Sequence, residues 1–118
     1  MPVRVKRAYK PPAEGDGYRV LVDRVRPRDI TEGDLLIDAW RKDLAPSTDL
    51  RKWFGHDPER CDEFRKRYAK ELEQRTDALG KLVERARAGP VTLVSGARDS
   101  ERNNAVLLKE RLERWLQR

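Results

Sequence analysis

A chain of 118 residues is the size of one domain around one hydrophobic core, and its 37% apolar and 41% charged residues are polar overall but periodically placed, which argues against disorder. No apolar run reaches the roughly 20 residues of a membrane helix, and Met1-Pro2-Val3-Arg4 lacks the apolar core of a signal peptide, so a cytoplasmic location is expected. Cys61 and His56 are the only residues of their kinds, which excludes an internal disulfide and a Cys/His zinc site. No cofactor motif is present; several aspartates near predicted strand ends leave a carboxylate site for magnesium open, but their spacing matches no metal-binding loop.

The formal net charge of +6 is unevenly distributed. Residues 1–28 hold eight basic and three acidic side chains, and the remaining 90 hold 19 and 18, so the positive field is confined to the first stretch. An arginine-rich composition alone could produce this. An anion-attracting surface is the functional alternative.

In chain order, Val3-Arg4-Val5-Lys6 alternates like a half-exposed strand and Pro11-Pro12 stops it. After a turn at 13–17, Tyr18 to Asp23 has the β-rich apolar centre of a buried strand. Residues 24–33 read as a loop. Leu35 to Trp40 is ambiguous between strand and helix, and a strand is favoured. Ser47 can cap a short helix that Gly55 closes, and Asp57-Pro58 has the form of a new helix start. On that second helix Cys61, Phe64, Tyr68 and Leu72 share one face, which makes Cys61 a buried, inert thiol by expectation. Thr76 can cap a third helix whose Leu79, Leu82, Val83 and Ala86 repeat the spacing until Gly89-Pro90. Val91 to Val94 is the clearest strand and is expected to be central. Glu101 to Gln117 closes the chain as a helix with Ala105, Leu108, Leu112 and Trp115 at helical spacing, capped by Asp99 or Ser100.

This order predicts a single α/β domain over residues 1–118, with a small, at least partly parallel sheet and helices packed on its faces. The helical crossover into Val91 makes that strand parallel to a neighbour. Ligands of open α/β sheets bind at the carboxyl ends of parallel strands, and two strands end there in arginine beside aspartate: Asp23-Arg24 with Arg28, and Arg98-Asp99. Arginine can grip a phosphate or carboxylate with two parallel hydrogen bonds. Arg24, Arg28 and Arg98 are therefore candidate ligand-binding residues, joined by Asn103 and Asn104 in the first turn of the last helix. Asp23, Asp99 and His56 are the candidates for acid-base chemistry, His56 because Asp57 beside it could orient its ring. The competing structural roles are an ion pair for Asp23, helix caps for Asp57 and Asp99, and a solvated loop for the rest. For nucleic acid, Arg4, Lys6, Arg24, Arg26 and Arg28 offer a basic patch, and Tyr9 and Tyr18 could stack on bases or cover the core edge.

Five stretches carry a resemblance. They are Gly17-Tyr18-Arg19-Val20-Leu21-Val22-Asp23-Arg24, Asp43-Leu44-Ala45-Pro46-Ser47, Trp53-Phe54-Gly55-His56-Asp57-Pro58, Gly89-Pro90-Val91-Thr92-Leu93, and Ala97-Arg98-Asp99 with Asn103-Asn104-Ala105. In that order they resemble the YeaO-like bacterial family, a domain of unknown function (DUF488), from about Val3 to Leu112. The resemblance implies a compact cytoplasmic α/β domain and transfers no activity. The family pattern has tryptophan, glycine and often histidine where this chain has Arg26, Asp29 and Arg102.

The function expected from these observations is binding of a small anionic ligand, a nucleotide or phosphate ester, in an Arg/Asp-lined crevice. Whether it is an enzyme is left open. A non-catalytic nucleic-acid module using the basic N-terminal surface is the alternative, with a protein-binding adaptor third.

Overall fold

In the computed structural model, residues 3–24, 30, 35–55, 57–96 and 104–117 are described. Four strands, β1 (Val3–Arg7), β2 (Tyr18–Leu21), β3 (Ala39–Trp40) and β4 (Val91–Ser95), form one sheet in the order β1-β4-β2-β3. Every pairing is parallel. β4 lies inside the sheet, as its β-branched run between Gly-Pro and Ser-Gly predicts. The helices are α1 (Thr48–Phe54), α2 (Cys61–Glu73), α3 (Thr76–Ala88) and α4 (Asn104–Leu116).

Side chains alternate across a strand, so the sheet has two unlike faces. Val3, Val20, Val91 and Leu93 point into the main core, where they meet Leu79, Leu82 and Val83 of α3 and Ala105, Leu108 and Leu112 of α4. Phe54, Phe64 and Tyr68 extend this core as stacked rings, with centroids 4.2 and 5.9 Å apart. Each fully buried aliphatic side chain contributes about 1.5–3 kcal/mol, so this face dominates stability.

The opposite face carries a smaller cluster of Ala8, Leu21, Leu35 and Val94, and beside it a buried ionic knot. Asp16 accepts from Lys6 Nζ at 3.0 Å, Arg19 Nη1 at 2.6 Å and the Ala13 N–H at 3.0 Å. Burial pushes the Asp16 carboxyl up, but Lys6, the Ala13 amide and Arg19 outweigh it and hold the group below its ordinary value. Two charges of the basic N-terminal stretch are thereby satisfied internally.

The third strand is shorter than the apolar run suggests. Leu36 has a left-handed backbone with φ of 47° and stands exposed, while the Leu35 and Leu36 carbonyls accept from the Arg19 guanidinium at 2.8 and 3.0 Å. Those carbonyls are bonded to a side chain and make no ladder, so pairing begins only at Ala39. Gly17 has a different constraint. Its φ is 66°, and a Cβ there would lie 2.3 Å from the Pro90 carbonyl oxygen.

The expected caps are met at Ser47, whose Oγ accepts from the Leu50 N–H, and at Gly55, which ends α1 with a left-handed φ of 52°. Asp57 caps a single 3-10 turn, Pro58–Arg60, that runs into α2. Thr76 is not a cap: α3 starts at Thr76 itself, Arg75 holds the cap position, and no side chain bonds there. Cys61 is only partly buried, because it is the first residue of α2 and sits at the margin of the core. Asp99 and Ser100, expected to cap α4, lie outside the described residues. No helix among the described residues is long and apolar enough to cross a membrane.

Candidate functional site

An all-parallel sheet places the ends of all four strands on one edge, and the candidate residues that are described gather there. Arg7 ends β1 and is in register with Ser95, the last residue of β4. Ser95 Oγ donates to Asp23 Oδ1 at 3.0 Å, and the Gly96 N–H donates to Oδ2 at 2.7 Å. The Asp23 carbonyl accepts from Trp40 Nε1 of β3 at 2.7 Å. Arg7, Ser95, Asp23 and Trp40 thus form one row across the carboxyl ends of all four strands.

Asn104, the first residue of α4, donates from Nδ2 to the Val22 carbonyl at 2.9 Å. This ties the start of the last helix to the end of β2, and the amide left open by sequence faces the protein. Arg24 Nε donates to the Pro46 carbonyl at 3.2 Å, a bond that does not use the two terminal nitrogens of its fork. Arg24 also lines a cavity of about 230 Å³ with Ser47, Glu71 and Arg75. Within it Glu71 accepts from the Ser47 N–H and Oγ at 2.8 and 2.7 Å, clamping the start of α1 to the end of α2. Tyr68 Oη donates to the Leu44 carbonyl at 2.5 Å on the same wall. Burial, with smaller contributions from the Asp23 and Glu71 carboxylates, pushes the Tyr68 phenol far above its usual range.

Of the residues named from sequence, Asp23, Arg24 and Asn104 are therefore brought together, and none of the described partners of Asp23 is an arginine. Arg28, His56, Arg98, Asp99 and Asn103 lie outside the described residues, as do Arg26 and Pro27. Among the described residues no group of three or more His, Cys, Asp or Glu could hold a metal ion.

Arg7 was not singled out by the sequence. Its Nε is buried and has no hydrogen-bond partner among the described residues, and its guanidinium lies 5.8 Å from the centre of the exposed Tyr9 ring. A buried donor left unpaired costs about 1–3 kcal/mol, so such an atom at a ligand edge calls for a functional explanation. The only signal in the sequence was its place as the last residue of an alternating strand. On the nucleic-acid side, Tyr18 is partly buried against the core with Arg85 over its ring, Lys6 is bound to Asp16, and Arg4 remains exposed.

Comparison with known proteins gives a consistent assignment. Residues 2–118 match the family model described as "Inactive DUF488-N3 subclade". The chain is 39% identical over 116 residues to the uncharacterized protein YeaO of Escherichia coli (strain K12), covering 98% of this chain and 97% of that one. It is 43% identical over 110 residues to the uncharacterized proteins Mb3100c of Mycobacterium bovis and Rv3073c of Mycobacterium tuberculosis, with 93% of this chain and 92% of each relative covered. No solved structure matches. The chain, an α/β protein with a four-stranded parallel sheet, belongs to the YeaO-like DUF488 family.

Proposed function

We propose that the carboxyl edge of the sheet binds a small anionic ligand, a nucleotide or a phosphate ester, and that it does so without turnover in the cytoplasm. The observation that carries this reading is the buried Arg7 Nε at the end of β1, which has no partner among the described residues and which a bound anion or a water would satisfy. Arg24 flanks the row from the β2 side, and a planar guanidinium on each side suits a phosphate better than a point charge does. Arg28 and Arg98, named from sequence, would add to it.

Asp23 supports binding more than catalysis. Both of its oxygens accept bonds from the end of β4, so it acts as a positioning residue for the chain that follows Gly96. A base must be within reach of a substrate proton, and this one is occupied. The family description as inactive agrees with that role. The nucleic-acid alternative has less support, because Lys6 and Arg19 neutralise Asp16.

The test is thermal shift with inorganic phosphate, nucleoside monophosphates and triphosphates, and sugar phosphates, on the wild type and on Arg7→Ala, Arg24→Ala, Arg98→Ala and Arg98→Lys. The alanine variants should lose most of the ligand-induced shift while melting near the wild type without ligand, and Arg98→Lys should rescue poorly. If no phosphate-bearing probe shifts the wild type, the reading fails.

A further inference from the structure

We propose that the trough between α2 and α4 docks an acidic amphipathic helix of a partner protein. Two cavities of about 230 Å³ each, one between the two helices and one where the start of α3 joins them, are both lined by Leu72, Arg111 and Arg114, so they form one trough. Its floor is apolar: Tyr68 and Leu72 lie beneath, and the partly exposed Leu107 and Trp115 flank them. Helices of 13 residues run about 20 Å, the span of a three- to four-turn ligand helix.

The rim selects the sign of the partner. Arg65 pairs with Glu110 at 2.8 Å and Arg111 with Glu73 at 3.7 Å, both across the trough and both partly exposed. Exposed pairs of this kind contribute little and exchange readily for other carboxylates. Among the described residues no carboxylate pairs with the exposed Lys66 or Arg114, so the rim keeps two uncompensated cations above an apolar floor. A helix with leucines at i, i+3, i+4 and i+7 and glutamates on either side matches that pattern. A nucleic acid would match the cations and leave the floor uncovered.

The proposal does not depend on the ligand reading, because it rests on the rim and floor of the trough and on none of the strand-end residues, although Tyr68 and Leu72 also line the Arg24 cavity. The probe is a fluorescein-labelled peptide of about 18 residues with that Leu/Glu pattern, and the controls are its scrambled form and a Lys-for-Glu form. Anisotropy titrations are run against wild type, the double variant Arg111→Glu/Arg114→Glu and Lys66→Glu alone. The expected result is binding to wild type that weakens with salt, about tenfold weaker binding to the scrambled peptide and to the double variant, and a smaller loss with Lys66→Glu. Circular dichroism of the variants separates lost binding from lost fold, and Lys66→Glu is an exposed change that keeps the test alive if the double variant is unstable. Equal binding of the scrambled or Lys-bearing peptide would overturn the proposal. So would unchanged binding by folded variants, or concentration-dependent self-association abolished by the same substitutions, which would make a second copy the occupant.

Discussion

Ser95 and Asp23 join the carboxyl ends of two adjacent parallel strands: Ser95 Oγ donates to one carboxylate oxygen at 3.0 Å while the next residue's N–H donates to the other at 2.7 Å. Asp23→Asn keeps the shape but replaces one acceptor with a donor: its Oδ1 can still accept from the Gly96 N–H, while Ser95 Oγ must turn to accept from Nδ2, and both bonds lose the carboxylate charge. A loss of about 1–3 kcal/mol is expected, with Ser95→Ala milder at about 1 kcal/mol. A double-mutant cycle by chemical denaturation checks it. The two changes should be less than additive, since both act on the same contact.

Asp16 makes stability depend on pH in a calculable direction. Its folded pKa lies below the ordinary value, so its contribution is fully present above the unfolded carboxylate pKa and is lost as pH falls through the folded one. Lys6→Met removes the first of the partners that lower it, which raises the folded pKa towards the unfolded value. The variant should melt below the wild type at neutral pH, and the gap should narrow below about pH 4. Melting temperature against pH for the two proteins is the measurement, and a constant gap would contradict it.

Gly17 and Gly80 should respond to alanine in opposite ways. At Gly17 the new Cβ meets the Pro90 carbonyl oxygen at 2.3 Å and φ is 66°, so a loss of about 2–4 kcal/mol is expected. At Gly80, inside α3, the Cβ meets the Trp115 ring at an ordinary 3.8 Å. Helix propensity then decides, and Gly80→Ala should gain about 0.5–1 kcal/mol, a rise of a few degrees in melting temperature.

Tyr68 should stay un-ionised in the folded protein throughout the alkaline range, since burial disfavours the phenolate and its hydroxyl serves the Leu44 carbonyl. Alkaline difference spectra of the wild type and Tyr68→Phe should therefore overlay until the fold opens. Early divergence would show Tyr68 reachable by solvent.

The regular elements were legible because their signals are local. Leu79, Leu82, Val83 and Ala86 repeat at helical spacing and are buried as that spacing requires, and Val91 to Val94 sits inside the sheet as its composition requires. Asp23 bonds to the end of β4 through Ser95 and Gly96, while the Arg28 and Arg98-Asp99 it was expected to meet lie outside the described residues. What failed was non-local. Leu35 to Ile37 reads as strand, yet the Arg19 guanidinium, sixteen or more residues earlier, captures two of its carbonyls. Nor does the spacing of Cys61 reveal that it stands at a helix start on the margin of the core. Arg7 escaped notice because its chemistry appears only when β1 is set beside β4.

The unlike faces of the sheet bear on how the molecule breathes. Helices close one side, while the described cover of the other is a short stretch of chain anchored through Asp16 and Arg19, with the Asp38 N–H donating to the Arg19 carbonyl at 2.7 Å and the Arg19 N–H donating to the Asp38 carboxylate at 2.8 Å. A smaller apolar cluster opens at lower free energy than the main helical layer. Amide exchange should therefore run out from the two-residue β3 and the Asp38 bonds well before β4, whose neighbours protect it on both sides. Loss of β3 would leave the β2 backbone exposed as a fresh sheet edge, the form in which extended segments of other chains are most readily recruited.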